Sequence, residues 1–245
     1  MFKTNLKSKL MAAVLVTIGI TALQSCEKSD NGDKPSAMMK ITNSEICKMH
    51  NEVIGSVKNL KQLKSDSIQS MDLFFENCLP LIESALLQND PDRYSNSLSL
   101  EEYREVLNRI DVLNSSSSNS EFLTYTSAFI QDLKDRGEVS DYFYTELMEM
   151  TENATIFTND QMIQYLDSDF ALNISELESN LKDLVVLMAK SSDELWNDSK
   201  LLKRPGSSTI IADAIGALWG LPLGGVGSII YGAAFSLYEN EILQD

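Results

Sequence analysis

From Ala214 to Tyr238 the chain runs for 25 residues without one charged side chain. Within this run and just before it, small residues recur at every fourth position: Ser208, Ala212, Gly216, Gly220, Gly224, Ser228, Gly232 and Ser236. On a helix this spacing draws a smooth, slowly precessing groove along which a second backbone can approach closely. Each interior glycine costs about 1 kcal/mol relative to alanine, so close packing has to compensate. A helix that is apolar all round must be buried, in protein or in lipid. Gly216, Gly220, Gly224, Ser228 and Gly232 are therefore the candidate residues for membrane insertion or self-association. The competing expectation is that the tail folds back and fills the core of its own protein. Pro222 interrupts the ladder. It predicts either a turn between two short helices or a kink in one spanning helix. Two helices of roughly 12 residues each are too short for a double crossing at about 20 residues per span.

The rest of the chain supplies what this tail packs against. Residues 40–204 carry apolar positions three and four apart, the signature of amphipathic helices. Ile46, Met49, Val53, Val57, Leu60 and Leu63 form one stripe. Ile68, Met71, Phe75, Cys78 and Ile82 form the next, and Pro80 predicts a kink or break within it. Ser99 with Glu102, Thr158 with Gln161, and Ser175 with Glu178 read as capping boxes, and Ser140 opens a further helix. Gly137 marks a stop after the stripe of Phe122, Tyr125, Phe129 and Leu133. No segment alternates with a period of two. The expected fold is all-α: an antiparallel helical bundle over residues 40–204, followed by a Gly-rich hydrophobic helix or helical hairpin over 205–245.

The N-terminus has the three parts of an export signal. Lys3, Lys7 and Lys9 are followed by 14 uncharged residues from Leu10 to Leu23, then Gln24-Ser25-Cys26. Leu23-Gln24-Ser25-Cys26 resembles a bacterial lipobox, whose cysteine becomes the acylated first residue of the mature protein. This predicts a signal peptide over 1–25, lipidation of Cys26 with acyl chains such as palmitate, and a flexible acidic tether over 26–39. Glu27-Lys28-Ser29-Asp30-Asn31-Gly32-Asp33 looks like the acidic surface-export tag of Bacteroidota lipoproteins. A lipid-anchored address in the bacterial envelope, at the outer membrane and exposed on its surface, is the resulting expectation.

Charge narrows the partners. The net charge of −16 becomes −19 once residues 1–25, with three lysines and no acid, are removed. Nucleic acid and anionic surfaces are repelled by such a chain. The expected partners are the lipid bilayer, through Cys26 and the tail, and further copies of the chain.

Chemistry-bearing residues are few. His50 is the only histidine, so any Ser-His-Asp or Cys-His site has to be built on it. Cys47 and Cys78 form either one disulfide, as export to an oxidising compartment allows, or two small buried residues. With His50 they are three candidate metal ligands where a structural zinc site takes four. Asp167, Asp169, Asn173, Ser175 and Glu178 space like a calcium loop, but Leu172 stands where the loop needs glycine. No catalytic residue, metal or cofactor is expected.

The order of His50-Asn51, then Ser191-Ser192-Asp193-Glu194-Leu195-Trp196, then Ala212-Asp213-Ala214-Ile215-Gly216-Ala217 resembles exported Bacteroidota lipoproteins with a helical domain and a glycine-zipper tail. The resemblance implies a helical fold and an envelope address, and no activity. The tail alone also resembles small membrane-active bacteriocins. The expected function is a non-enzymatic structural or interaction role in the envelope. The alternatives are a membrane-active effector that shields its tail and a helical module that binds a ligand.

Overall fold

The structure is a computed structural model that describes residues 41–57, 71–94, 121–198 and 206–241. The helices are α1 (Asn43–Val57), α2 (Met71–Asn89), α3 (Pro91–Tyr94), α4 (Glu121–Asp135), α5 (Asp141–Asn153), α6 (Asn159–Ser168), α7 (Ser179–Asp198), α8 (Ser207–Gly220) and α9 (Gly224–Glu241). Among the described residues there is no strand, and the fold is an all-α bundle. Cys26 with the signal and tether, the Ser99–Glu102 box, Leu60 and Leu63 lie outside the described residues.

Local chemistry sets the helix ends. The Thr158 hydroxyl accepts from Gln161 N, and the Gln161 side chain accepts from Thr158 N, a complete capping box at the start of α6. Ser140 accepts from Phe143 N at the start of α5. At the end of α4, Gly137 adopts φ 72°, and Gly137 N and Glu138 N bond back to the carbonyls of Lys134 and Leu133. Glycine enters that left-handed conformation without a Cβ penalty. Pro80 does not break its helix: α2 runs through it from Met71 to Asn89. Ser175 and Glu178 frame a short 3₁₀ turn (Glu176–Glu178) instead of a capping box. The Glu178 carboxylate instead accepts from Ser140 N at 2.7 Å, Ser140 Oγ at 3.0 Å and Ser175 Oγ at 2.8 Å, clamping the start of α5 to the approach to α7.

The tail is the centre of this bundle. Pro222 sits in a 3₁₀ turn (Leu221–Leu223), so α8 and α9 form a helical hairpin. Every residue from Thr209 to Gly220 is buried, as is every residue from Gly227 to Glu239. α8 packs chiefly on α9 and α7, while α1 and α2 cover α9 and α4 covers α8. The composition boundary at residue 205 thus separates two kinds of sequence that share one core.

Glycine makes the hairpin this tight. A Cβ on Gly216 would meet Phe235 Cδ2 at 2.3 Å and Tyr231 O at 2.6 Å. One on Gly220 would meet Gly227 O at 2.3 Å, and one on Gly227 would meet Gly220 O at 2.4 Å. Around this contact aromatic rings close the core. Phe129 lies 4.6 Å from both Trp219 and Phe235, and Trp219 packs on Tyr231 at 4.8 Å. Such ring pairs add roughly 0.5–1.5 kcal/mol each beyond their buried area.

Candidate functional site

His50 lies on the buried stripe of α1, one turn after Ile46 and one before Val53 and Ile54. Its Nε2 is 3.6 Å from Oδ2 of Asp213 on α8, and both side chains are fully excluded from solvent. Gly232 on α9 makes room for the ring: a Cβ there would lie 3.1 Å from His50 Cδ2. Ser192 of α7 and Ser236 of α9, both buried, sit beside the Asp213 carboxyl. Four helices therefore converge on one histidine and one aspartate.

A hydrogen-bonded chain leads outward. His50 Nδ1 is 3.0 Å from Asn51 Oδ1. Asn51 Nδ2 donates to the Ser191 carbonyl at 2.9 Å and to Ser191 Oγ at 2.8 Å, tying α1 to α7. Asn51 and Ser191 also line an open surface groove of about 600 Å³ between these helices, with Cys47, Lys48, Leu187 and Lys190. Inward the satisfaction is poorer. His50 Nε2, both Asp213 oxygens, Ser192 Oγ and Ser236 Oγ make no hydrogen bond of ordinary geometry, although the two hydroxyls lie near enough to lower the Asp213 pKa.

Burial decides the charge state. It pushes His50 down from 6.5 to about 4, against the smaller opposing effects of Asn51 and the Gly232 backbone. Burial likewise raises Asp213 well above the ordinary carboxylate range, with Glu239 adding to the rise and Ser192 and Ser236 opposing it. Burial thus disfavours the charged form of both side chains, because the interior disfavours isolated charge. A second buried acid is paired: Tyr125 Oη donates to Glu239 Oε2 at 3.0 Å, and burial followed by the Glu239 charge raises the Tyr125 pKa.

The residue types match a Ser-His-Asp set, but the arrangement is closed to solvent. Ser192, Ser236, His50 and Asp213 are all sealed, so a reacting carbonyl has no path to a hydroxyl. The cysteines offer no nucleophile either. Cys47 and Cys78 are buried free thiols, not a disulfide. Burial raises both, Cys47 to about 12, which keeps them protonated and inert.

The metal readings also find their residues otherwise engaged. Among the described residues no three His, Cys, Asp or Glu side chains group to hold an ion. In the calcium-like stretch Glu178 is spent on Ser140 and Ser175, and Asp167 pairs with Lys190. The backbone there is instead held by Glu146, which accepts from Ala171 N at 2.7 Å, and by Lys182, which donates to Ala171 O at 3.1 Å. Ala171 sits at φ 49° between them.

Of the ladder residues, Gly216, Gly220 and Gly232 face protein at close range. Gly224 turns the chain at φ 80°, and Ser228 is buried. The sequence had flagged His50 but not its partner Asp213. The available signal was a single acid just ahead of an uncharged run, matched to a single histidine on an apolar stripe. No protein family, curated protein or solved structure matches the chain.

Proposed function

We propose that this is a lipid-anchored protein of the bacterial envelope, non-enzymatic, with a structural or interaction role at the outer membrane. The observation that carries the reading is the lysine-rich and then apolar N-terminus ending at Leu23-Gln24-Ser25-Cys26. Acylation of Cys26 by more than one chain would anchor it stably, at about 0.8 kcal/mol per buried CH₂. The absence of a catalytic role is supported by the sealing of the sole histidine with Asp213. The acidic surface favours neutral lipid and protein partners over nucleic acid. The test is metabolic labelling with an alkyne fatty acid, followed by membrane fractionation, for the full chain and for Cys26→Ala. Label and membrane association present in the first and lost in the second support the anchor. A soluble, unlabelled wild type contradicts it.

A second reading draws on the burial of α8 and on the α1–α7 groove. It makes the protein a helical ligand-binding module with the tail as part of its core. It predicts a rise in melting temperature with the right small molecule, and substitutions at Leu187 and Lys190 that abolish the rise.

A further inference from the structure

The α8–α9 hairpin differs from an ordinary core element in three respects. The first is its composition. Ser207–Glu239 has a mean hydropathy of 1.5 over its most apolar window, apolar enough by composition for a membrane interior. Between Ser207 and Tyr238 Asp213 is the one acid, and its burial disfavours the charged form.

The second is where the hairpin is satisfied. Its two arms close on each other through backbone at Gly216, Gly220 and Gly227, the small-residue packing that persists in lipid. Its turn is internally bonded as well: Leu221 N donates to Leu218 O, Gly224 N donates to Leu221 O, and Pro222 has no N–H to leave unpaired. The boundary between hairpin and shell is bonded through Ser207 to Ala154 O, Trp219 to Asp132 and Tyr125 to Glu239, and is poorly satisfied around His50. His50 Nε2, Ser192 Oγ, Ser236 Oγ and both Asp213 oxygens meet there without ordinary hydrogen bonds. The contacts that hold the two arms together therefore do not depend on the shell.

The third is its exposed tip. Leu221 to Val226, all apolar or glycine, are partly or fully exposed, while the arms are buried. This tip lies against Ile41: a Cβ on Gly225 would be 2.9 Å from Ile41 Cβ. Ile41 follows Cys26 by 15 residues, a chain that reaches no more than about 50 Å. The tip is thus at the end of the bundle that holds Ile41, the first described residue.

We propose that the α8–α9 hairpin is a stored membrane-inserting element that leaves the bundle and enters a lipid bilayer tip first. The arms set the depth. The 14 residues of α8 span about 21 Å and the 18 of α9 about 27 Å, against a hydrocarbon core of about 30 Å. The hairpin reaches most of the way through as a wedge, with Glu239 left at the near surface. The inference extends the lipid-anchored reading by giving the tail a task, but its test does not use the anchor.

The experiment is a reversible lock on the full-length chain. Ile41→Cys with Gly225→Cys places two sulfurs where a disulfide needs Cβ atoms about 3.5–4.5 Å apart, after a small outward shift. Cys26→Ala in the same chain removes both lipidation and a competing thiol, and Trp196→Phe leaves Trp219, three residues before Pro222, as the sole tryptophan. Circular dichroism verifies that the oxidised and reduced forms are equally helical. Both are added to neutral phosphatidylcholine vesicles carrying bromine near the acyl termini. The expected result is loss of Trp219 emission and leakage of trapped dye for the reduced form, and neither for the oxidised form. Equal quenching in both forms would overturn the proposal, because release would not be required. So would no quenching in either, or reduced-form dimers without quenching, which would assign the hairpin to a second copy of the chain.

Discussion

His50 Nε2 lies 3.6 Å from Asp213 Oδ2 in a site closed to water, and this pair joins the first described helix to the first arm of the C-terminal hairpin. The two residues are shifted in opposite directions by the same cause. Folding holds His50 at about 4, so it contributes stability that is lost as pH falls from 6.5 towards 4. Folding raises Asp213, so its contribution is complete at low pH and is lost as pH rises above the ordinary carboxyl value. Between about 4 and 6.5 the two slopes oppose each other. Asp213→Asn leaves the His50 slope alone. Relative to that variant, the wild type should lose stability steadily as pH rises from 4, while His50→Gln should show the Asp213 decline unopposed. Urea denaturation of the three proteins across pH 4–8 measures this. Parallel pH profiles for all three would remove the buried pair from the account.

Glycine's role in the hairpin is separable from glycine's cost in a helix. Gly220→Ala places a methyl group 2.3 Å from Gly227 O, so it should destabilise the protein by about 1–3 kcal/mol despite alanine's better helix propensity. Gly55→Ala in α1 meets nothing within 4 Å and should stabilise by about 0.5–1 kcal/mol. Denaturant midpoints of the two variants should move in opposite directions.

Glu178 does the work of a clamp. Glu178→Ala removes three hydrogen bonds to Ser140 and Ser175 and should cost about 1.5–3 kcal/mol, since the acceptor is charged. The same engagement predicts that millimolar calcium leaves the melting temperature of the wild type unchanged. A calcium-dependent rise that Glu178→Ala abolishes would restore the calcium loop.

The thiols are expected to be silent. Cys47 and Cys78 are buried, free and held protonated. A reductant should not change the melting temperature, and a maleimide should label Cys78 only as fast as the protein unfolds. A melting point lowered by reductant would point to a disulfide.

Local signals were readable in the sequence because each acts within a few residues. The stripe of Ile46, Met49, Val53 and Val57, the Thr158–Gln161 box and the Gly137 stop all depend on neighbours three or four positions away. Pro80 misled because proline costs a helix about 3 kcal/mol, an amount that packing of Phe74, Phe75, Cys78 and Ile82 can offset. Ser175 and Glu178 had the spacing of a cap, yet the carboxylate found better partners at Ser140, 38 positions away. The candidate site was half legible. His50 stood out as the lone histidine, but nothing local joins it to Asp213, and only the packing of α8 and α1 against their shared neighbours α7 and α9 brings them together. For the tail, an apolar glycine ladder reads the same whether protein or lipid surrounds it.

The burial of that tail as the shared core of the bundle is the central claim, and native-state hydrogen exchange in lipid-free buffer tests it most directly. The amides of Ile210–Gly220 and Ser228–Tyr238 should be the slowest in the protein, exchanging only through global unfolding and sharing its denaturant dependence. Exchange of these amides by a smaller opening, while α1, α4 and α7 stay protected, would contradict the account and make the tail a separate appendage.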